Sequence, residues 1–174
     1  NLNWSIVKSW SILLAAAFTI FFTSSQFTEP SEAKIGSTAP VFSIKNESGD
    51  FSLSEMRGKY VLLSFWSLNE PQSRVNNAQY ASLADSSNIH YVSINTDSDT
   101  TLWSQIVEID NLKASRQYSS QDSKSSDIID DYHLATGSRA YLINPDGIIE
   151  AVNPSLDQLV KLTPIWKFCS LIEL

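Results

Sequence analysis

The chain holds a single cysteine, Cys169, in 174 residues. One thiol cannot close an intramolecular disulfide, so no disulfide scaffold stands behind the fold. Histidine is nearly as scarce: the two present, His90 and His133, sit among apolar residues, where a packed or surface imidazole is expected and a metal site is not. Basic runs are missing as well. With a formal net charge of -7 and no Lys/Arg cluster, the chain lacks the footprint of a nucleic-acid binder. Five glycines and six prolines exclude a collagen-like chain, and a hydrophobic content of 43% excludes wholesale disorder. What is present suffices for one globular domain with its own core.

Residues 1–33 carry the pattern of an export segment. Lys8 precedes Ile12–Phe22, an apolar run of about eleven residues, short of the roughly twenty that span a bilayer. Ser31 and Ala33 offer the small residues that a signal peptidase reads, so cleavage after Ala33 is expected. The alternative is a retained anchor with membrane attachment through residues 4–25, in which Lys8 snorkels to the interface. Both place the domain outside the cytoplasm, in the periplasm or on the outer face of a bacterial membrane. Loss of Lys8, Glu29 and Glu32 with the segment would take the net charge from -7 to -6. The globular domain is expected over 34–163, followed by an apolar tail over 164–174.

Hydrophobic patterning then sets out the elements. A short strand follows Ala39-Pro40-Val41-Phe42, turn chemistry occupies Asn46 to Asp50, and Leu53 to Met56 forms one helical turn closed by Gly58. Tyr60 to Trp66 is almost continuously apolar, as in a central strand buried on both faces. Pro71 suits the first turn of a helix whose apolar face is Val75, Ala78, Leu83 and Ala84. Ile89 to Asp97 is a second buried strand, and Thr100 to Ile109 an amphipathic helix carrying Leu102, Trp103, Ile106 and Val107. Ser115 to Ser126 reads as an exposed polar loop, after which Ser126 caps a short helix through Tyr132. Two apolar strands flank Asn144-Pro145-Asp146-Gly147 as a hairpin, and Ser155 to Gln158 has the form of a capping box opening a last helix that Pro164 ends or kinks. The order specifies an α/β domain with a mixed central sheet covered on both faces.

Four stretches in this order, "APVFSI", "FSLSEMRGKYVLLSFWS", "YVSINTD" and "YLINPDGII", resemble the thioredoxin superfamily. The resemblance is closest to exported thiol-disulfide oxidoreductases of the TlpA and ResA type, related in outline to AhpC/TSA peroxiredoxins, and covers about Ile35 to Leu162. It implies a thioredoxin-like fold and a Cys-x-x-Cys pair at a helix start just after Phe65-Trp66. Those positions are Glu70 and Ser73 here, with Pro71 and Gln72 between and Arg74 following. The resemblance also implies a cis proline before the hairpin, in a loop that aligns a partner's backbone; its counterpart is Ser138, so the Gly137–Ser138 bond is expected trans.

Disulfide exchange needs a thiolate activated at the helix start and a second thiol to resolve the mixed disulfide, and neither Glu70 nor Ser73 supplies one. Glu70 is conceivable as a general acid or base, but a carboxylate that stabilises the helix start is expected. Asp97, Asp99 and Asp122 lack the spacing of a calcium loop and are expected to be solvated. Cys169 is expected as a buried inert thiol, and Trp66 and Trp103 as core residues, with Trp66 also able to wall a groove. No catalytic residue, cofactor or metal is assigned. The expected function is a redox-inactive domain of the cell envelope that binds a protein or peptide through a vestigial groove: Trp66, Glu70, Pro71, Gln72, Ser73, Arg74, Thr136, Gly137, Ser138 and Arg139. The alternatives are retained thiol-disulfide or peroxiredoxin-like activity, which would fall to Cys169, and a structural role in an envelope assembly through Ile165 to Leu174.

Overall fold

The structure is a computed structural model that describes residues 33–46, 49–122 and 128–162. The expected export run Ile12–Phe22, the cap Ser126, Pro164, the apolar tail and Cys169 lie outside the described residues.

At the centre stands β3 (Val61–Trp66), buried at all six positions, because it has a neighbour on each edge and a packed layer on each face. A helix, α1 (Pro71–Asp85), carries the chain to the parallel strand β4 (His90–Asn95), and α2 (Thr100–Ile109) carries it on to β5 (Gln117–Ser119), also parallel. Past α3 (Ile128–Asp131) the chain returns on the other side of β3 as β6 (Ala140–Ile143), antiparallel, and turns through 144–148 into β7 (Ile149–Val152). The sheet order is β5-β4-β3-β6-β7. Gly147 takes φ +75° in the hairpin turn, a conformation that glycine enters without strain. A separate hairpin, β1 (Ser43–Asn46) with β2 (Gly49–Ser52), precedes the sheet, and α4 (Leu156–Val160) closes the described chain.

Alternation along β3 divides the core in two. Val61, Leu63 and Phe65 face a layer built from Phe42, Ile44, Phe51, Leu53, Ile128 and Tyr132, while Leu62 faces Tyr80 and Ala84 of α1 and Leu159 of α4. Tyr132 ties its layer together: its ring meets Phe65 and Tyr141 at 5.1 Å between centroids, and its hydroxyl donates to the Pro40 carbonyl at 2.6 Å. The folded unit reaches back to Ala33, which is buried in this layer and whose N–H donates to the Asp131 carbonyl at 3.2 Å.

Several expectations change. Gly49–Ser52 is a strand rather than only the end of a turn. Gln117, Tyr118 and Ser119, read as exposed loop, form a buried edge strand; the Tyr118 ring lies 6.0 Å from Phe51, and a three-residue strand is too short to show alternation. The inward face of α1 is Ser73, Asn77, Tyr80 and Ala84, while Val75 is exposed. The displacement follows from what lies beneath: β3 and β4 present Ser64, Ser93 and Asn95, all buried, so the helix answers with polar groups. Asn77 accepts from the Tyr91 hydroxyl and, at 2.7 Å, from Ser93. In α2 only Val107 is buried, and Leu102 and Ile109 are exposed.

Candidate functional site: the β3–α1 loop and the 136–139 loop

The chain leaves β3 at Trp66 and needs four residues to reach the first turn of α1 at Pro71. Asp97, just beyond β4, holds that loop. Its carboxylate accepts from the Ser67 hydroxyl at 2.7 Å, the Leu68 N–H at 2.7 Å, the Asn69 amide at 3.2 Å and the Asn95 amide at 2.8 Å. Burial alone would raise the Asp97 pKa; the bonds from Leu68, Ser67, Asn95 and Asn69 outweigh it and hold it below the usual carboxylate range. Asp97 is therefore not a solvated loop charge. It is the fastening of the loop, because four donors converge where β4 ends beside β3.

Ser73, one turn into α1, is buried and its hydroxyl is committed. It accepts from the Ser67 N–H at 3.1 Å and faces the Ser67 and Glu70 carbonyls at 3.0 and 2.8 Å. The neighbouring Gln72 bonds Asn76 at 2.9 Å on the exposed side. Arg74 forms a two-point pair with Asp110 after α2, at 2.7 and 2.5 Å. That hydrogen bond, followed by the charge of its partner, raises the Arg74 pKa and lowers that of Asp110 despite partial burial.

Glu70 stands at the N-cap position, as expected for an acidic residue at a helix start, but its side chain bonds no N–H of α1. The carboxylate instead crosses to the loop before β6 and accepts the Ser138 N–H at 3.1 and 3.2 Å. Gly137 adjoins it, and its backbone conformation rather than its lack of a side chain calls for glycine. A Cβ there would lie 3.5 Å from the Glu70 carboxylate, and φ of +122° disfavours any other residue. No cis peptide occurs among the described residues, so Gly137–Ser138 is trans. Arg139 donates to the Thr136 hydroxyl at 2.8 Å, folding back on its own loop rather than projecting outward.

The structure thus brings together Glu70, Pro71, Ser73, Gly137 and Ser138 at one end of the sheet. Trp66 does not line this place: its side chain is fully buried and offers the groove no wall. Between α1 and the loop lies a crevice of about 20 Å³ lined by Ser64, Ser73, Asn76, Ser138, Arg139 and Asn153. That is room for about one water, against several hundred Å³ for a small-molecule pocket. Among the described residues, no three metal-capable side chains gather. Sequence reasoning read Asp97 as a solvated charge and missed Asn153, which accepts the Ala140 N–H at 2.8 Å; the local signal for both was an Asn or Asp just past a buried strand.

The fold and the position of this loop define a thioredoxin-like domain. The chain belongs to the AhpC/TSA family, whose model matches residues 35–152. A thioredoxin-like protein from Parabacteroides distasonis is 29% identical, with 68% of this chain and 82% of that one covered and a TM-score of 0.56. The thioredoxin domain of a thiol-disulfide oxidoreductase from Bacteroides vulgatus is 25% identical over 79% of this chain and 99% of that one, TM-score 0.61. A thiol-disulfide oxidoreductase from Bacteroides fragilis is 26% identical over 78% and 99%, TM-score 0.57. No curated protein matches.

Proposed function

We propose that this chain is a redox-inert thioredoxin-like domain of the bacterial cell envelope that binds an extended protein or peptide segment beside the start of α1. One observation carries the inertness: the two positions that open α1 are Glu70 and Ser73, both committed to hydrogen bonds within the chain, and neither can form a bond to sulfur. The family scaffold around them favours a retained recognition role over general decay. Export is supported by the Ile12–Phe22 run preceded by Lys8.

Family membership favours the competing reading, thiol-disulfide exchange through Cys169. Insulin disulfide reduction by the full chain separates them. Expected is no turnover above the uncatalysed rate, unchanged by Cys169→Ser, and turnover gained when Glu70→Cys, Ser73→Cys and Ser138→Pro are introduced together. Turnover by the natural chain that disappears with Cys169→Ser overturns the proposal.

A further inference from the structure

The start of β6 and the loop before it carry two backbone donors on the edge away from β3. Arg139 turns its carbonyl toward β3, where it accepts the Phe65 N–H at 2.8 Å. By the two-residue period of extended chain, the N–H groups of Ser138 and Ala140 face the opposite way, past the point where β7 ends at Val152. Both are taken by side chains. Asn153 seals Ala140 from both sides, accepting its N–H at 2.8 Å and donating its own N–H to the Ala140 carbonyl at 2.7 Å. Among the described residues, the Ser138 N–H is held by the half-buried carboxylate of Glu70, whose backbone belongs to another element.

We infer that Glu70 is an intramolecular plug: its carboxylate occupies the strand-edge donor of Ser138, and a bound extended segment must displace it to place a backbone carbonyl on that N–H. This inference rests on the peptide-binding reading above and adds its regulation. Edge donors left open invite unselective pairing, and a capping carboxylate suppresses it until a segment with further contacts competes. Swinging Glu70 out frees its charge at the start of α1, where the peptide dipoles still favour it, so the displaced state has a place for the carboxylate.

Two measurements on the full chain test this: amide exchange at Ser138 by NMR, and binding of fluorescein-labelled, carboxymethylated insulin B chain, an extended polypeptide without free thiols. In Glu70→Ala, Ser138 exchange is expected to accelerate and the B chain to bind about tenfold tighter, the order expected from removing one charge-assisted competitor. Glu70→Gln keeps one carbonyl acceptor and should fall between. Equal Ser138 exchange in all three proteins overturns the plug, as does faster exchange with equal affinity. If all bind equally, only the plug falls; if none binds, the peptide-binding reading falls with it.

Discussion

The Asp97 carboxylate receives the backbone N–H of Leu68 at 2.7 Å, so a residue past the end of β4 sets the path by which β3 enters α1. Both walls of the groove inherit that constraint, since Glu70 follows two residues later and reaches Ser138 from there.

Asp97→Ala should lower unfolding free energy by about 1–3 kcal/mol at neutral pH, the range for losing hydrogen bonds to a charged acceptor. The Asp97 pKa is held below its ordinary value in the folded state, so its contribution is complete above the unfolded carboxylate value of about 3.9 and fades as pH falls through the folded one. The gap in urea midpoint between the two proteins should narrow as pH falls from 7 to 3; a gap that stays constant contradicts the assignment.

Asn77 and Tyr91 form the buried polar contact under α1, and burial pushes the Tyr91 phenol well above its usual range. Asn77→Ala removes the side-chain acceptor shared by the Tyr91 and Ser93 hydroxyls and leaves Tyr91 the residue-77 backbone carbonyl at 3.2 Å, whereas Tyr91→Phe removes one of those donors. A double-mutant cycle on thermal stability should therefore give a coupling of about 1–3 kcal/mol. Additive losses would mean that the two side chains do not bond.

Ser155 and Gln158 close a capping box at α4, and Leu159 of the same helix is fully buried against α1 and the sheet. Ser155→Ala should cost about 1 kcal/mol. Leu159→Ala should cost more, about 2–5 kcal/mol, because it opens a cavity. Chemical denaturation of the two variants ranks them; the reverse order would mean that docking of α4 depends on its cap rather than on burial.

Arg74 and Asp110 make ideal two-point geometry, yet their side chains are 37% and 18% exposed. Asp110→Ala should therefore cost no more than about 1 kcal/mol. Repeating the measurement in high salt should shrink even that difference. A loss that salt does not touch would point to packing in place of charge.

Much of this was legible in advance. Val61–Trp66 announces a doubly buried strand by composition, Asn144 to Gly147 announces the hairpin, and Ser155 to Gln158 announces its cap, because each signal is complete within a few residues. The inward face of α1 was misplaced because periodicity tracks apolar residues, and here the helix buries Ser73 and Asn77 against the serines of β3 and β4. Strand β5 was missed for a related reason: its burial comes from β4 on one edge and from the Phe51 ring, neither adjacent in sequence.

The chain by itself determined the family scaffold and the absence of a dithiol at the start of α1, since strand composition, turn residues and the count of cysteines need no coordinates. Only the tertiary structure decided what Glu70 and Asp97 do. Both are single carboxylates whose local sequence predicts a helix start and a solvated loop; closing the sheet brings Glu70 to the Ser138 N–H across 68 residues and Asp97 to the Leu68 N–H across 29. A carboxylate takes its role from the donors that surround it, and those donors are gathered by strand pairing rather than by neighbours along the chain.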